Sequence, residues 1–91
     1  MSAPVDVLAV LDESIRRAEE RGNIERSDRL QAARAAVAEL IAADLEYDAA
    51  CIHVGEAMFG CREQRKLAAA RSARSNFRRI AAIARVQGGA A

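Results

Sequence analysis

Tryptophan is absent, tyrosine occurs once, phenylalanine twice and proline once in the 91 residues. The lone proline, at position 4, and five glycines, at 22, 55, 60, 88 and 89, supply too few turn-formers for a fold of many short strands. Two cysteines do not make a disulfide framework and read as free thiols. No apolar run approaches the eighteen or so residues of a membrane span. The start, MSAPVDVLAVLDES, carries three acids and no base before Arg16, unlike the basic start of a signal peptide. A cytoplasmic protein with no membrane partner is expected.

Positive charge is missing from the middle: no base stands between Arg34 and Arg62. The net charge of +1 hides this, because residues 1–60 hold 12 acids and 6 arginines whereas residues 61–91 hold 8 bases and one acid. Such asymmetry raises the question of nucleic acid, and it equally fits a hairpin whose arms neutralise each other.

Among the 47 apolar residues, 22 are alanine, which favours helix strongly but contributes little burial area. The chain is long enough for one domain, expected over 1–87 with 88–91 as a frayed tail, and its core must be thin. Three helices are predicted, over about 4–21, 24–59 and 62–86, an all-α fold. Ser2 and Pro4 suit the start of the first, and Gly22 and Asn23 form its boundary with the second. Gly60 marks the exit of the second, with a break at Gly55 as the alternative.

The second helix organises the rest. Leu30, Ala33, Val37, Leu40, Asp44, Tyr47, Cys51, Val54, Met58 and Cys61 step by three and four, and Ile41, Leu45, Ile52 and Phe59 widen the stripe. In the third helix Ala70, Ala73, Phe77, Ile80 and Ala84 repeat the pattern, with Leu67 and Ile83 beside them. At 1.5 Å per residue the helices would measure roughly 25, 54 and 37 Å, so neither neighbour covers the second alone. A homodimer completing an antiparallel bundle is expected, through Leu40, Ile41, Tyr47, Cys51, Val54 and Met58.

Asp44 alone interrupts the stripe, and a carboxylate buried without a partner costs several kcal/mol. An ion pair with Arg71, Arg74 or Arg78 is expected for it. With Glu39, Glu46, Asp48 and Glu56 it also forms an acidic face, which reads as a solvated surface balanced by the third helix or as a docking site for a basic partner. Arg71, Arg74, Arg78 and Arg85 form a basic face suited to phosphate or to an acidic partner. No helix-turn-helix pattern, phosphate loop or aromatic stacking set accompanies them. Cys51 and His53 stand about 200° apart on a helix and Cys61 lies roughly 15 Å further along it, which argues against metal and against a catalytic pair. The two thiols are expected in the core. Enzymatic activity and cofactors are not expected, since no catalytic or cofactor motif is present.

The start MSAPVDVLAVLDESIRRAEERGN, the alanine- and arginine-rich helices and the run RLQAARAAVAELIAADLEYDAA resemble the small helical proteins encoded by bacteriophages and prophages. The resemblance covers composition over the whole chain and transfers no functional residue. It implies a non-enzymatic protein that binds and inhibits a host macromolecule, anti-CRISPR proteins being one such class. The alternative is a nucleic-acid- or nucleotide-binding helical dimer that uses the arginines of the third helix.

Overall fold

A computed structural model describes residues 4–88; the expected Ser2 cap and the tail after Gly88 lie outside the described residues. Three helices follow one another, α1 (Val7–Glu20), α2 (Ile24–Ala57) and α3 (Arg62–Val86), with no strand among the described residues. The all-α expectation holds. No helix among these residues is long and apolar enough to cross a membrane.

The helix ends follow from local chemistry and shift three predicted boundaries. α1 starts at Val7, later than Pro4, because Asp6 caps it, its carboxylate accepting from the Ala9 amide at 3.1 Å. At the other end the Asn23 amide donates to the Ala18 carbonyl (2.9 Å) and the Gly22 amide to that of Glu19 (3.0 Å). This paired arrangement requires a left-handed residue, and Gly22 has φ +70°. Asn23 then caps α2 by accepting from the Arg26 amide at 3.0 Å.

Gly55 lies within α2 without breaking it, and the helix ends at Ala57, two residues before the expected stop. Gly60 follows, where an added Cβ would collide with the Gln64 side chain. That side chain folds back so that its Oε1 accepts from the Cys61 amide (2.9 Å), which starts α3.

By packing, the chain divides into two units, Met1–Ala38 and Glu39–Ala91, with α2 contributing to both. In the first unit α1 pairs with the first part of α2. Leu8, Leu11, Ile15 and Ala18 step by three and four along α1, with the first three half-buried and Ala18 buried. Across from them stand half-buried Leu30 and Val37 and buried Ser27. The Ser27 hydroxyl donates to Glu19 (3.5 Å) and accepts from the Gln31 amide (3.1 Å), so this buried oxygen is satisfied. Arg34 crosses to Asp12 at 2.5 Å.

The second unit pairs the rest of α2 with α3, and its seam is made of small residues at intervals of seven. Ala43, Ala50 and Ala57 on α2 face Ala68, Ser75 and Ala82 on α3, and all six are buried. Among the described residues no side chain larger than serine is buried anywhere in the chain. The thin core expected from composition is therefore thinner still. In the second unit the predicted α2 stripe shares only half-buried Leu40 and Tyr47 with the border of the seam; Asp44, Cys51, Val54, Met58 and Cys61 are exposed, as is Ala33 in the first unit.

The reason is geometric. A large side chain between only two helices holds their axes apart and still meets water on both flanks, whereas alanine lets the backbones close along their length. Each buried methyl contributes on the order of 1 kcal/mol. The α3 stripe is displaced likewise: Ala70, Ala73, Phe77 and Ile80 are exposed and Ala84 is half-buried.

Candidate interaction surfaces

One edge of the second unit is closed by ion pairs between α2 and α3. Arg71 meets Glu46 with Nε at 2.9 Å and Nη2 at 3.3 Å from its two carboxylate oxygens, and Arg78 meets Glu39 the same way at 2.8 and 3.2 Å. Both are forked, the geometry in which guanidinium and carboxylate fit best. The Arg78 hydrogen bond holds the Glu39 carboxyl below its ordinary range, and Arg71 does the same for Glu46; burial opposes both shifts. The two guanidinium pKa values rise in response. Arg71 also approaches His53 Nδ1 at 3.4 Å. Since a guanidinium only donates, that nitrogen is the acceptor.

These pairs settle where four of the predicted site residues lie: Glu39 and Glu46 from the acidic face, Arg71 and Arg78 from the basic one, consume each other. Among the described residues Asp48, Glu56, Arg74 and Arg85 are exposed and make no salt bridge. Asp44 overturns the expectation made for it. It is exposed and pairs with none of Arg71, Arg74 and Arg78, because it stands two residues before Glu46 and so about 200° round α2 from the ion-paired edge. Exposure removes the desolvation that would have demanded a partner.

The face away from that edge carries the rest of the predicted α2 set. Leu40, Tyr47, Cys51 and Val54 lie roughly 80–140° from Glu46 around the helix, and Met58 follows its last residue. Leu40 and Tyr47 are half-buried; Cys51, Val54 and Met58 are exposed, Met58 by 65%. The Arg79 guanidinium stacks over the Tyr47 ring, 4.3 Å from its centroid. Its Nε is buried without a hydrogen-bond partner. The cysteines correct a second expectation, since both are free and exposed. The core position beside Cys51 belongs to Ala50, one residue away, and Cys61 stands at the cap of α3, outside the seam.

Further round α2 runs a row that sequence reading treated only as a margin of the stripe. Ile41, Leu45, Ile52 and Phe59 are exposed by 43, 65, 64 and 94%, with Asp48 and Glu56 among them. On α3, Leu67 and Phe77 are 67 and 75% exposed. These large apolar side chains are displayed and not packed in the seam.

The clefts are shallow and polar in lining. One of about 400 Å³ lies over Glu46, Arg71, Arg74, Ser75 and Arg78, and one of about 210 Å³ in the first unit is lined by Ser14, Arg17, Ala18, Arg21, Asn23 and Arg26. No group of three or more His, Cys, Asp and Glu side chains is placed to hold a metal among the described residues. Compared with protein families, with curated proteins and with solved structures, the chain matches none.

Proposed function

We propose that this chain is a non-enzymatic helical binding protein that docks on another protein through the outer row of α2, as an inhibitor of the phage type its sequence resembles. The observation that carries the reading is the inversion of the second unit: alanines hold the helices together while Ile41, Leu45, Ile52 and Phe59 face outward. Spacings of four and seven from Ile41 to Leu45 to Ile52 present one side of α2, the form in which an amphipathic helix enters an apolar groove, and Phe59 stands two residues past the helix end at Ala57. Asp48 and Glu56 on the same side give that groove a basic rim, and the absence of any base from 35 to 61 removes repulsion.

Nucleic-acid binding has less support. Two of its four arginines are neutralised by Glu39 and Glu46, and the remaining two, Arg74 and Arg85, stand without an aromatic platform.

The test is capture from bacterial host lysate by the immobilised chain, compared with a Leu45→Ser, Phe59→Ser variant and an Arg74→Gln, Arg85→Gln variant. Capture lost only in the first supports the reading. Capture that survives it, or a 260/280 nm absorbance ratio of bound nucleic acid that disappears in the second, contradicts it.

A further inference from the structure

We propose that the cleft where α1 ends and α2 begins binds a dianionic phosphate group, as inorganic phosphate or a small phosphate monoester. Ser14, Arg17 and Arg21 line it from one side of α1 and its cap, with buried Ala18 beside them, and Asn23 and Arg26 line it from the start of α2. No acid is among these residues. The acids close by in sequence are engaged elsewhere. Glu13 and Glu20 pair with Arg16, Glu25 pairs with Arg29, and Glu19 accepts from Ser27 and Gln31. Asp28 stands two residues past Arg26, about 200° away around α2.

The donors of the cleft are left available by these pairings. Among the described residues Arg21 and Arg26 make no salt bridge. Arg17 gives its Nε to Glu13 at 3.1 Å and keeps both terminal amino groups. The Asn23 Oδ1 caps α2 by accepting from the Arg26 amide, so the side-chain nitrogen, with two N–H donors, is the end that can meet a ligand. The last carbonyls of α1 would repel an anion, but those of Arg17, Ala18 and Glu19 accept from the amides of Arg21, Asn23 and Gly22.

Charge and size name the ligand. Arg16 and Arg17 balance Glu13 and Glu20, which leaves Arg21 and Arg26 as two uncompensated positive charges. A phosphate monoester carries nearly two negative charges at neutral pH, and guanidinium forks match its oxygens. The space of about 210 Å³ is below the roughly 300–1,000 Å³ of pockets that enclose a drug-sized molecule, and so fits a small anion better than a whole nucleotide. The larger cleft of the second unit offers no such set, because Glu46 lines it and holds Arg71. The outer row of α2 assigned to partner binding starts at Ile41, in the second unit, so the two readings fail separately.

The experiment titrates the full chain with sodium phosphate and with glycerol phosphate near neutral pH and follows the amide signals by nuclear magnetic resonance. Sodium chloride holds the ionic strength constant and is titrated alone as the reference. The largest shifts are expected within residues 14–26. A dissociation constant of about 1 mM or below is expected, within the ceiling for so few ligand atoms. Asn23→Asp keeps a capping oxygen and puts a carboxylate where the donor amide stood. At least ten-fold weaker binding is expected for it and for the Arg21→Gln, Arg26→Gln chain, with helix content unchanged by circular dichroism. The Arg74→Gln, Arg85→Gln chain should bind as the parent does. Tighter binding of glycerol phosphate makes a monoester the ligand and equal binding makes it free phosphate, and either result supports the site. No shift by tens of millimolar phosphate, equal shifts with chloride alone, or parental binding by both cleft variants overturns the proposal.

Discussion

The two helical pairs solve the same problem with opposite residues. In the first unit, α1 has only fourteen residues and leans Leu8, Leu11 and Ile15 toward its neighbour, each half-buried. In the second, α3 has twenty-five residues and touches α2 through Ala68, Ser75 and Ala82. A short pair needs much area per contact, which large side chains supply even when incompletely covered. A long pair can sum many close contacts between small residues, and its large side chains are then free for other work. Ion pairs reinforce the difference: among the described residues two bridges cross the seam of the second unit, whereas one, Arg34 to Asp12, joins the helices of the first, its remaining bridges being local ones such as Arg16 with Glu13 and Glu20.

The contrast can be broken most forcefully at Ala50. Replacing it with leucine forces the closed seam apart, and a loss of about 2–3 kcal/mol is expected in chemical denaturation. Truncating the first unit should hurt less. Ile15→Ala removes a half-buried side chain, and a cost of roughly 1–2 kcal/mol is expected, about half that of a fully buried site. Asp6→Ala sharpens the same side of the comparison, since it removes the cap of α1 without touching any seam; about 1 kcal/mol is expected, with fraying visible as faster amide exchange at Val7–Ala9.

The smallest effect is that of acid. Glu39 and Glu46 are held below their ordinary pKa by Arg78 and Arg71. A carboxyl depressed in the folded state contributes stability at pH values above its unfolded pKa, near 4.5, and that contribution fades as pH falls through the lower folded value. Melting temperature should therefore decline between about pH 5 and 3. Glu13 is depressed too, by Arg16 beside it on α1. Changing Glu39 and Glu46 together to glutamine should flatten most of the decline, and Glu13→Gln should flatten less, because only the former pairs tie two helices together. Exposure of these groups keeps the whole effect modest.

Much of the fold was legible in the sequence. Alanine abundance, the single proline and the boundaries at Gly22–Asn23 and Gly60–Cys61 specify three helices, and the Leu8, Leu11, Ile15, Ala18 row of α1 lies where its spacing places it. The seam of the second unit is hidden from a periodicity that weighs side chains by size. Leu40, Tyr47, Val54 and Met58 are larger apolar side chains than Ala43, Ala50 and Ala57, although the alanines recur at an interval of seven and are answered by Ala68, Ser75 and Ala82. That shared interval was the available signal. Asp44 followed the same error: once the stripe was placed inside, its carboxylate required a partner, whereas an exposed carboxylate requires none. The stacking of Arg79 on Tyr47 depends on where two long side chains fold across the seam, which spacing alone does not specify.

The central claim is that the large side chains on the outside of α2 are displayed and not part of a core. Unfolding of the Leu45→Ser, Phe59→Ser chain at fixed protein concentration tests it most directly. A free energy within about 0.5 kcal/mol of the parent is predicted, as for exposed positions in general. A loss of roughly 3 kcal/mol or more, the range for truncating buried leucine and phenylalanine, would contradict the claim and place the row inside a core.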